Sequence, residues 1–356
     1  MTPTAVLQPE RFTGQVGDKP VALYVLRNAA GMVVCVTNYG AKIQQILVPD
    51  RHGRLDDVVL GYDSLHAAIN GAPSVGAFIG RYAGRIENAF FELEGKLHKL
   101  SANNGPHCLH GGLRGSRFRA FEALQTSPSS AEMRYVFVDG EEGFPGKLAL
   151  RLTYKLLASN ELVLDYEAMA LDQATVASFT THAFFNLNGA ASGSILGHEL
   201  LIPSSHYLAC TPQLVSTGGV VSVQGTPFDF RSATTLRARV PDSLPGYDDC
   251  YVVDRSGHDG DAAAMVMCAR VSAPESGRCM EVWSTEPALQ FYTGINPMEP
   301  LAGGRGKGGV RYFQQHGLCL EPQGYPNAPN VPHFPTAVVQ PGQPRRGRTS
   351  YRFSVG

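Results

Sequence analysis

The amino-acid sequence predicts an all-β protein, a large antiparallel β-sandwich. Three observations lead to this fold class: short segments that alternate apolar and polar residues, glycine- and proline-rich turns between them, and no succession of strands and long helices. Alternation with a period of two is typical of a strand that turns one face to a core and the other to water. Because long helices do not follow the strands, a parallel α/β sheet is not expected.

The clearest strand is KLALRLTYKL, residues 147–156, in which every second residue from Leu148 to Leu156 is apolar. The segments MRYVFV (133–138) and ELVLDYEAMA (161–170) show the same alternation. Between MRYVFV and KLALRLTYKL lies DGEEGFPG, whose glycines and proline are typical of a turn. These segments predict consecutive antiparallel strands.

Other segments of four to eight residues end at turn residues and are also predicted to be strands. They are MVVCVTNY, KIQQILVP, DVVLGY, AFFELEG, KLHKL, HELLIPSS, CYVVD, MEVWST and LQFYTG. Only DSLHAAIN, residues 63–70, predicts a short helix, with Asp63 or Ser64 as its N-cap. Since neither a domain linker nor an internal repeat is visible, we expect a single domain that spans residues 1–356.

Composition and charge exclude several classes of function. The 356 residues carry a formal net charge of −1, which is unlike the basic surface of a nucleic-acid-binding protein. The basic run at 345–348 is expected to be a solvated loop near the C-terminus. The glycine-rich segment 303–309 lacks the Gly-Lys-Ser/Thr ending of a phosphate-binding loop, so we interpret it as a flexible surface loop.

Cysteine usage and the N-terminal sequence bear on location. The seven cysteines are odd in number and form no CxxC pair, which indicates a reduced, cytoplasmic protein. The N-terminus has neither a charged nor an apolar region typical of a signal peptide, and no segment has the apolar length needed to cross a bilayer. We therefore expect no membrane partner.

Two polar residues in apolar surroundings are candidates for catalysis. His182 lies in SFTTHAFFNLNG, a segment expected to be strand-like and buried, so it is either a hydrogen-bonded core residue or a site residue. Glu321 follows the apolar run Leu318–Leu320 and precedes a loop rich in proline, glycine and asparagine. A buried glutamate is rare unless it is paired or functional, and strand ends that lead into loops often carry catalytic groups.

Other polar side chains leave more alternatives open. Asp248 and Asp249 stand at the entrance to a predicted strand, where aspartate often starts a turn. Gln290 alternates with apolar neighbours and so faces away from them, towards a site or towards solvent. Arg85 has the planar guanidinium suited to bidentate recognition, and an ordinary surface arginine is the alternative interpretation.

The segment ANNGPHCLHGG brings His107, Cys108 and His110 together among turn residues. Zinc sites use three or four such ligands, with close pairs at short spacing. A second cluster of comparable density is missing from the sequence, because His182, Cys319 and Glu321 occur singly. We therefore predict no metal site.

Several motifs in a fixed order give the chain a family resemblance. They are NYGAKIQQILVPDRHG, GRYAGRI, LHGG, EGFPG, THAFFNL, GYDDCY, LQFYTG and LCLEPQGYPNAPN. In this order the sequence resembles the galactose mutarotase family, the aldose 1-epimerases, over most of its length. The resemblance implies a large antiparallel β-supersandwich with an open sugar-binding cleft, and it implies interconversion of the α and β anomers of aldohexoses such as D-galactose and D-glucose.

The resemblance also implies residue roles. Glu321 matches the general base and His182 the general acid, whereas the positions that bind sugar hydroxyls match Arg85, His110, Asp248 and Gln290. In the implied reaction the base removes the proton of the C1 hydroxyl while the acid protonates the ring oxygen, so that the ring opens to the aldehyde and recloses. This chemistry needs no cofactor and no metal. An unperturbed histidine pKa of about 6.5 suits the acid, and burial would raise the pKa of the glutamate.

The sequence departs from the common family pattern at three positions. Gly84 replaces a frequent asparagine, Asp249 a frequent histidine and Phe184 a frequent tyrosine. These departures leave open which aldose is preferred and whether Asp248 or Asp249 contacts the sugar. His107 matches no functional position of the family and is interpreted as a loop residue.

The sequence leaves alternative functions open. One is a hexose-6-phosphate 1-epimerase, although no cluster of arginines for a phosphate accompanies the motifs. A glycosidase could use Asp248 and Glu321 as its carboxylate pair, but this would leave His182 without a role. A non-catalytic sugar-binding or regulatory protein on the same scaffold would not need an opposed acid and base. The expected partner is a small aldose, and the sequence does not distinguish a monomer from a homodimer.

Overall fold

Antiparallel strands make up most of the chain. A computed structural model describes residues 4–239, 246–257, 261, 263–295 and 305–356. Within these ranges, three larger sheets and five two-stranded pairs are formed, and all the pairings between their strands are antiparallel. The predicted all-β fold class is therefore confirmed.

The three larger sheets differ in size, and the spatial order of their strands differs from the order along the chain. The nine-stranded sheet consists, from one edge to the other, of Glu122–Ser127, Ser130–Phe137, Leu148–Leu156, Glu161–Ala170, Arg345–Val355, Arg278–Ser284, Val266–Ala273, Glu199–Leu201 and Thr234–Thr235. The five-stranded sheet consists of Ser216–Ser222, His206–Cys210, Asp248–Val252, Ala288–Tyr292 and Cys319–Gln323. The four-stranded sheet keeps the chain order and consists of Leu23–Arg27, Val33–Thr37, Lys42–Pro49 and Leu55–Asp57.

The smaller elements connect these sheets. The two-stranded pairs are Gly14–Val16 with Lys19–Val21, Phe78–Ile79 with Thr180–Thr181, Arg85–Ile86 with Cys108–Leu109, Phe90–Leu93 with Lys96–Lys99, and Thr175–Val176 with Val338–Val339. The α-helices within the described ranges are Leu65–Asn70 and Leu236–Arg239, and the 3-10 helices are Pro9–Phe12, Glu87–Ala89, Ser116–Phe118, Glu141–Gly143, Lys307–Gly309 and Ala328–Asn330. Neither α-helix has the length and apolar character to span a membrane.

The core lies between the nine-stranded sheet and the other two large sheets. Apolar side chains from all three belong to one continuous buried cluster, which is the arrangement of a β-sandwich. Hydrogen bonds also cross between the layers: the Tyr154 hydroxyl donates to the carbonyl of Ala41, and the Tyr351 hydroxyl donates to the carbonyl of Leu320. The second bond supports the strand that carries Glu321.

Most of the predicted elements are present. Leu148–Leu156 is a strand whose alternate residues are buried, as the period-two pattern predicts. The helix Leu65–Asn70 begins after Ser64, whose hydroxyl accepts a hydrogen bond from the amide of Ala67, so Ser64 rather than Asp63 is the N-cap. The strand predicted at DVVLGY is wrong: a regular strand ends at Asp57, and residues 58–62 are buried with only an isolated bridge at Val59.

One predicted loop is wrong, and part of a second is anchored by an ion pair. The basic run 345–348 opens the strand Arg345–Val355, because its main chain pairs with residues 165–168 of the neighbouring strand. Exposed ion pairs accompany this pairing: Arg346 with Glu167 and Arg348 with Asp165. In the described part of the glycine-rich segment, the Lys307 ammonium is buried against the carboxylate of Asp57, so this part is anchored to the four-stranded sheet. Residues 303 and 304 of that segment lie outside the described residues.

Candidate active site

A cavity of about 420 Å³ opens at one end of the five-stranded sheet. All six residues predicted for the site line it, although they come from widely separated parts of the chain: Arg85, His110, His182, Asp248, Gln290 and Glu321. Apolar side chains and glycines form much of the remaining wall. A cleft with apolar walls and a few convergent polar groups is the usual form of a small-molecule site.

Three adjacent strands of the five-stranded sheet supply one wall of the cavity. Gln290 and Glu321 are direct neighbours in the register of their strands. The Gln290 amide donates a hydrogen bond of 2.7 Å to Oδ1 of Asp248 on the next strand. This contact orients the carboxamide and the carboxylate towards the same space as Glu321.

His182 reaches the cavity from the segment after Thr180–Thr181. Its main chain is fixed on both sides, because its amide donates to Ala77 and its carbonyl accepts from Gly76. Nε2 lies 3.7 Å from Oε1 of Glu321. His182 is 7% exposed and Glu321 is 2% exposed, so this pair is largely removed from bulk water.

The ring of His182 is also held by aromatic neighbours. It packs against Phe184 with 4.9 Å between ring centroids, and its edge meets Tyr292 at 6.0 Å. Apolar packing on the ring reduces the exposure of the imidazole to water and limits its rotation. Phe184, one of the three departures from the family pattern, therefore contributes a face to this packing.

His110 sits in a tight loop whose geometry aims its ring into the cleft. Its φ of 54° is in the left-handed region, which is uncommon for residues other than glycine, although histidine, asparagine and aspartate adopt it more often than the rest. Gly111 follows with a φ of 77°, and a Cβ there would lie 2.2 Å from the carbonyl oxygen of Gly80. Only glycine fits at position 111, so the LHGG segment is shaped by close backbone approach.

The tautomer of His110 follows from its hydrogen bond. Nδ1 accepts a hydrogen bond of 3.2 Å from the amide of Gly84, so the proton of the neutral ring is on Nε2. Burial, together with His182 and Arg117, holds the pKa of His110 well below its usual value. His110 therefore presents a neutral N–H donor to the cavity.

Arg85 and Asp248 line the same cavity and interact electrostatically. Arg85 Nε donates 2.9 Å to Oδ1 of Asn104, which fixes the plane of the guanidinium. Burial raises the pKa of Asp248, whereas Arg85 and Gln290 act in the opposite direction. Position 248 therefore combines an acceptor with a nearby cation.

Asp249 has a different environment from Asp248. It does not belong to the cavity lining, and its Oδ2 accepts the amide of Asp248 at 3.1 Å. Burial and the neighbouring carboxylate of Asp248 raise its pKa to about 7. The structure thus places Asp248, rather than Asp249, at the cavity.

Burial shifts the two members of the central pair in opposite directions. It raises the pKa of Glu321 well above its usual value, and the carboxylate of Asp248 adds to this rise. It lowers the pKa of His182 to about 4. The upward shift of the glutamate agrees with the expectation from sequence, but the histidine pKa is well below the value of about 6.5 assumed there. Both shifts act in the same sense, because each makes the neutral form of its group more favourable.

Gly84 has a structural reason to be glycine. Its φ is 79°, and a Cβ would lie 3.0 Å from the Cβ of Pro326. A side chain at this position would therefore be strained and would press on the cleft wall, since both residues line the cavity.

The potential metal ligands form a different cluster from the one visible in the sequence. His107 and Cys108 are buried, and Nδ1 of His107 accepts a hydrogen bond from the amide of Asn88. Ligand atoms of His182, Cys319 and Glu321, which appear scattered in the sequence, lie within 4.8 Å of one another. A metal held there would occupy both groups of the opposed pair.

Sequence reasoning missed Cys319 as a neighbour of the site. Its Sγ lies 3.4 Å from Nδ1 of His182, and the side chain is fully buried. The sequence could have indicated Cys319 through its spacing from Glu321, because residues i and i+2 of a strand share a face. Gln323 continues that face and also lines the cavity.

The fold and the site together define a β-sandwich enzyme with an opposed histidine and glutamate in a small polar cleft. The family model described as aldose 1-epimerase matches residues 22–352. The chain belongs to the aldose 1-epimerase family, and it is accordingly an isomerase, a mutarotase.

Relatives and solved structures give the extent of this similarity. The galactose mutarotase of Sus scrofa is 39% identical over 327 residues, which cover 90% of this chain and 91% of that protein. The aldose 1-epimerase of Escherichia coli is 32% identical over 342 residues, or 94% and 96% of the two chains. The crystal structure of an aldose epimerase homologue from C. elegans has a TM-score of 0.86 at 26% identity, with 94% of this chain and 99% of that chain covered.

Proposed function

We propose that this chain interconverts the α and β anomers of D-galactose and D-glucose, with Glu321 as the base and His182 as the acid. The observation that carries the proposal is the opposed pair, whose Nε2 and Oε1 atoms are 3.7 Å apart in a largely buried cleft. Relatives named galactose mutarotase support the choice of galactose.

In each ring opening the pair takes one proton from the sugar and gives one proton to it. For ring opening, the Glu321 carboxylate takes the proton of the C1 hydroxyl while protonated His182 gives a proton to the ring oxygen. The C1–ring oxygen bond then breaks, leaving an aldehyde, a neutral histidine and a protonated glutamate. After rotation about the C1–C2 bond, the reverse transfers close the ring on the other face.

The pKa shifts of His182 and Glu321 favour one of the two protonation states that this cycle uses. Burial favours neutral His182 and protonated Glu321, which is the state of the pair while the aldehyde is open. Ring opening uses the other arrangement of the same proton, with Glu321 as the carboxylate and His182 protonated. Both states hold the same number of protons, so the transfer requires no exchange with solvent.

The other four residues are proposed to hold the sugar. Asp248 accepts and Gln290 donates or accepts hydrogen bonds, while His110 and Arg85 donate. His110 lies beside His182, with 5.5 Å between the ring centroids, so its Nε2–H is placed near the reacting centre. These contacts would orient the ring between the acid and the base.

A hexose-phosphate epimerase is less well supported. Among the described residues that line the cavity, Arg85 is the only arginine or lysine, and it already lies near Asp248 and Asn104. A phosphate dianion usually requires more positive charge than this.

Polarimetry tests the proposed function directly. Purified protein should accelerate the change in optical rotation of freshly dissolved α-D-galactose and α-D-glucose without added metal or nucleotide. Glucose 6-phosphate should be a much poorer substrate. Saturable sugar binding without acceleration would instead indicate a non-catalytic sugar-binding protein, and a preference for the phosphate ester would contradict the proposed substrate class.

A further inference from the structure

The proton-transfer scheme uses Nε2 of His182, and a second nitrogen of the same ring has a partner of its own. Nδ1 lies 3.4 Å from Sγ of Cys319, within hydrogen-bonding distance for sulfur. Cys319 is 0% exposed and lies on the same strand face as Glu321. The cysteine therefore contacts one member of the pair from a position fixed by the strand that carries the other.

The direction of this hydrogen bond decides what the ring can do. A neutral imidazole has one N–H and one lone pair, whereas the protonated ring has an N–H at both nitrogens. If Nε2 is to gain and lose the working proton, Nδ1 must keep its proton throughout. An acceptor at Nδ1 supports this arrangement, whereas a donor would oppose the protonated ring.

The surroundings of Nδ1 favour an acceptor. The main-chain carbonyl of His182 interacts with its own ring in the sense that raises the histidine pKa, as an acceptor for a ring N–H does. The contact measured in the structure at Nδ1 is the one with Sγ, at 3.4 Å. Burial keeps the thiol neutral by raising its pKa well above the usual value.

We propose that Cys319 is a positioning residue, whose sulfur accepts a hydrogen bond from Nδ1–H of His182 and thereby reserves Nε2 for proton exchange with the sugar. The proposal rests on the proposed role of His182 as the acid. It deepens that role, because removal of this acceptor would make the tautomer with its proton on Nδ1 and a lone pair on Nε2 less favourable.

Other titratable groups also act on the ring. Glu321 faces Nε2, His110 meets the ring edge, and Arg117 lowers the histidine pKa from further away. Because none of these groups changes when Cys319 is replaced, a shift in the behaviour of His182 can be attributed to the sulfur.

The first test compares Cys319→Ala, Cys319→Ser and the control Cys268→Ala. Cys268 is also a buried free cysteine, but it lies in the sandwich core. We expect Cys319→Ala to lower kcat for galactose by about tenfold with little change in KM, which is the scale of one lost hydrogen bond. Cys319→Ser should retain most of the rate because its hydroxyl can still accept, and Cys268→Ala should match the parent enzyme in kcat.

The pH profile and nitrogen NMR give the direction of the bond. Loss of an acceptor disfavours the protonated ring, so the acidic limb of kcat should move to lower pH in Cys319→Ala. In the parent protein, the ¹⁵N shifts of neutral His182 should place the proton on Nδ1. An upward movement of the limb, a proton on Nε2, or a Cys319→Ala variant with the kinetics of Cys268→Ala would each overturn the proposal. An inactive parent enzyme would instead contradict the proposed function. The NMR measurement does not depend on catalytic activity, so the two failures can be distinguished.

Discussion

Nε2 of His182 and Oε1 of Glu321 lie 3.7 Å apart, and both side chains line the same cavity. The two residues come from different parts of the chain and are both almost completely buried. Burial makes the neutral imidazole of His182 and the protonated carboxyl of Glu321 more favourable than their charged forms. In that state the pair holds one exchangeable proton. This relationship is the basis of the first three predictions.

Replacement of Glu321 by glutamine should abolish catalysis without loss of the fold. The amide has a similar shape but cannot accept the proton of the C1 hydroxyl, so we expect kcat to fall by about 10²–10⁴-fold. Polarimetry with galactose measures this, and Glu199→Gln, remote from the cavity, is the matched control. Full activity in Glu321→Gln would contradict the assignment of the base.

The same substitution should change how stability depends on pH. Because the folded state raises the pKa of Glu321, its contribution is present at pH values below the unfolded pKa and is lost as pH rises through the folded pKa. The glutamine variant lacks this loss, so its stability relative to the parent protein should increase as pH rises. Urea unfolding at several pH values measures the difference, and a constant difference would contradict the raised pKa.

The rate should depend on pH with two limbs. Catalysis needs the pair to hold one proton, so a second proton, taken up by His182, stops the reaction. Since burial lowers the pKa of His182 to about 4, kcat should remain high well below pH 6.5 and fall only as the pH approaches the lowered pKa. The alkaline limb reflects proton loss from the pair. An acidic limb near pH 6.5 would show that His182 titrates as an exposed histidine does.

The two neighbouring aspartates should behave differently. Asp248 lines the cavity and bonds Gln290, whereas Asp249 bonds the main chain of Asp248 outside the lining. We expect Asp248→Ala to reduce kcat/KM by about 10–100-fold, the scale of a lost hydrogen bond to a charged group, and Asp249→Ala to have a much smaller effect. Steady-state kinetics on galactose measures both, and equal effects would contradict the assignment of Asp248 as the sugar contact.

The loop that aims His110 should not tolerate a side chain at position 111. Gly111→Ala places a methyl group 2.2 Å from the carbonyl oxygen of Gly80 at a positive φ, so we expect a loss of about 1–3 kcal/mol in unfolding free energy. Catalysis should fall as well, because His110 is displaced. Gly197→Ala is the control, since a Cβ there has no atom within 4 Å and no positive φ. Thermal unfolding and polarimetry report the two effects, and similar behaviour of both variants would show that position 111 is not sterically restricted.

The sequence by itself determined the fold class, because alternation with a period of two depends on local order along the chain. It located the strand Leu148–Leu156 for this reason. The apolar run before Glu321 predicted a strand that ends at this residue, whereas Glu321 is the central residue of the strand Cys319–Gln323. Its motifs also indicated the family and six site residues, all of which line the cavity. Loops were less predictable: the basic run 345–348 is part of a strand because its main chain pairs with residues 165–168, and no local pattern reports this long-range pairing.

Only the tertiary structure decided how these residues act on one another. The lowered pKa of His182 arises from burial by segments distant in the sequence, and no local pattern reports it. The contact between His182 and Cys319 spans 137 positions along the chain. The choice between Asp248 and Asp249 depends on which side chain turns towards the cavity. A sequence specifies the chemical groups, whereas distances, burial and hydrogen-bond direction depend on how the sheets bring remote segments together.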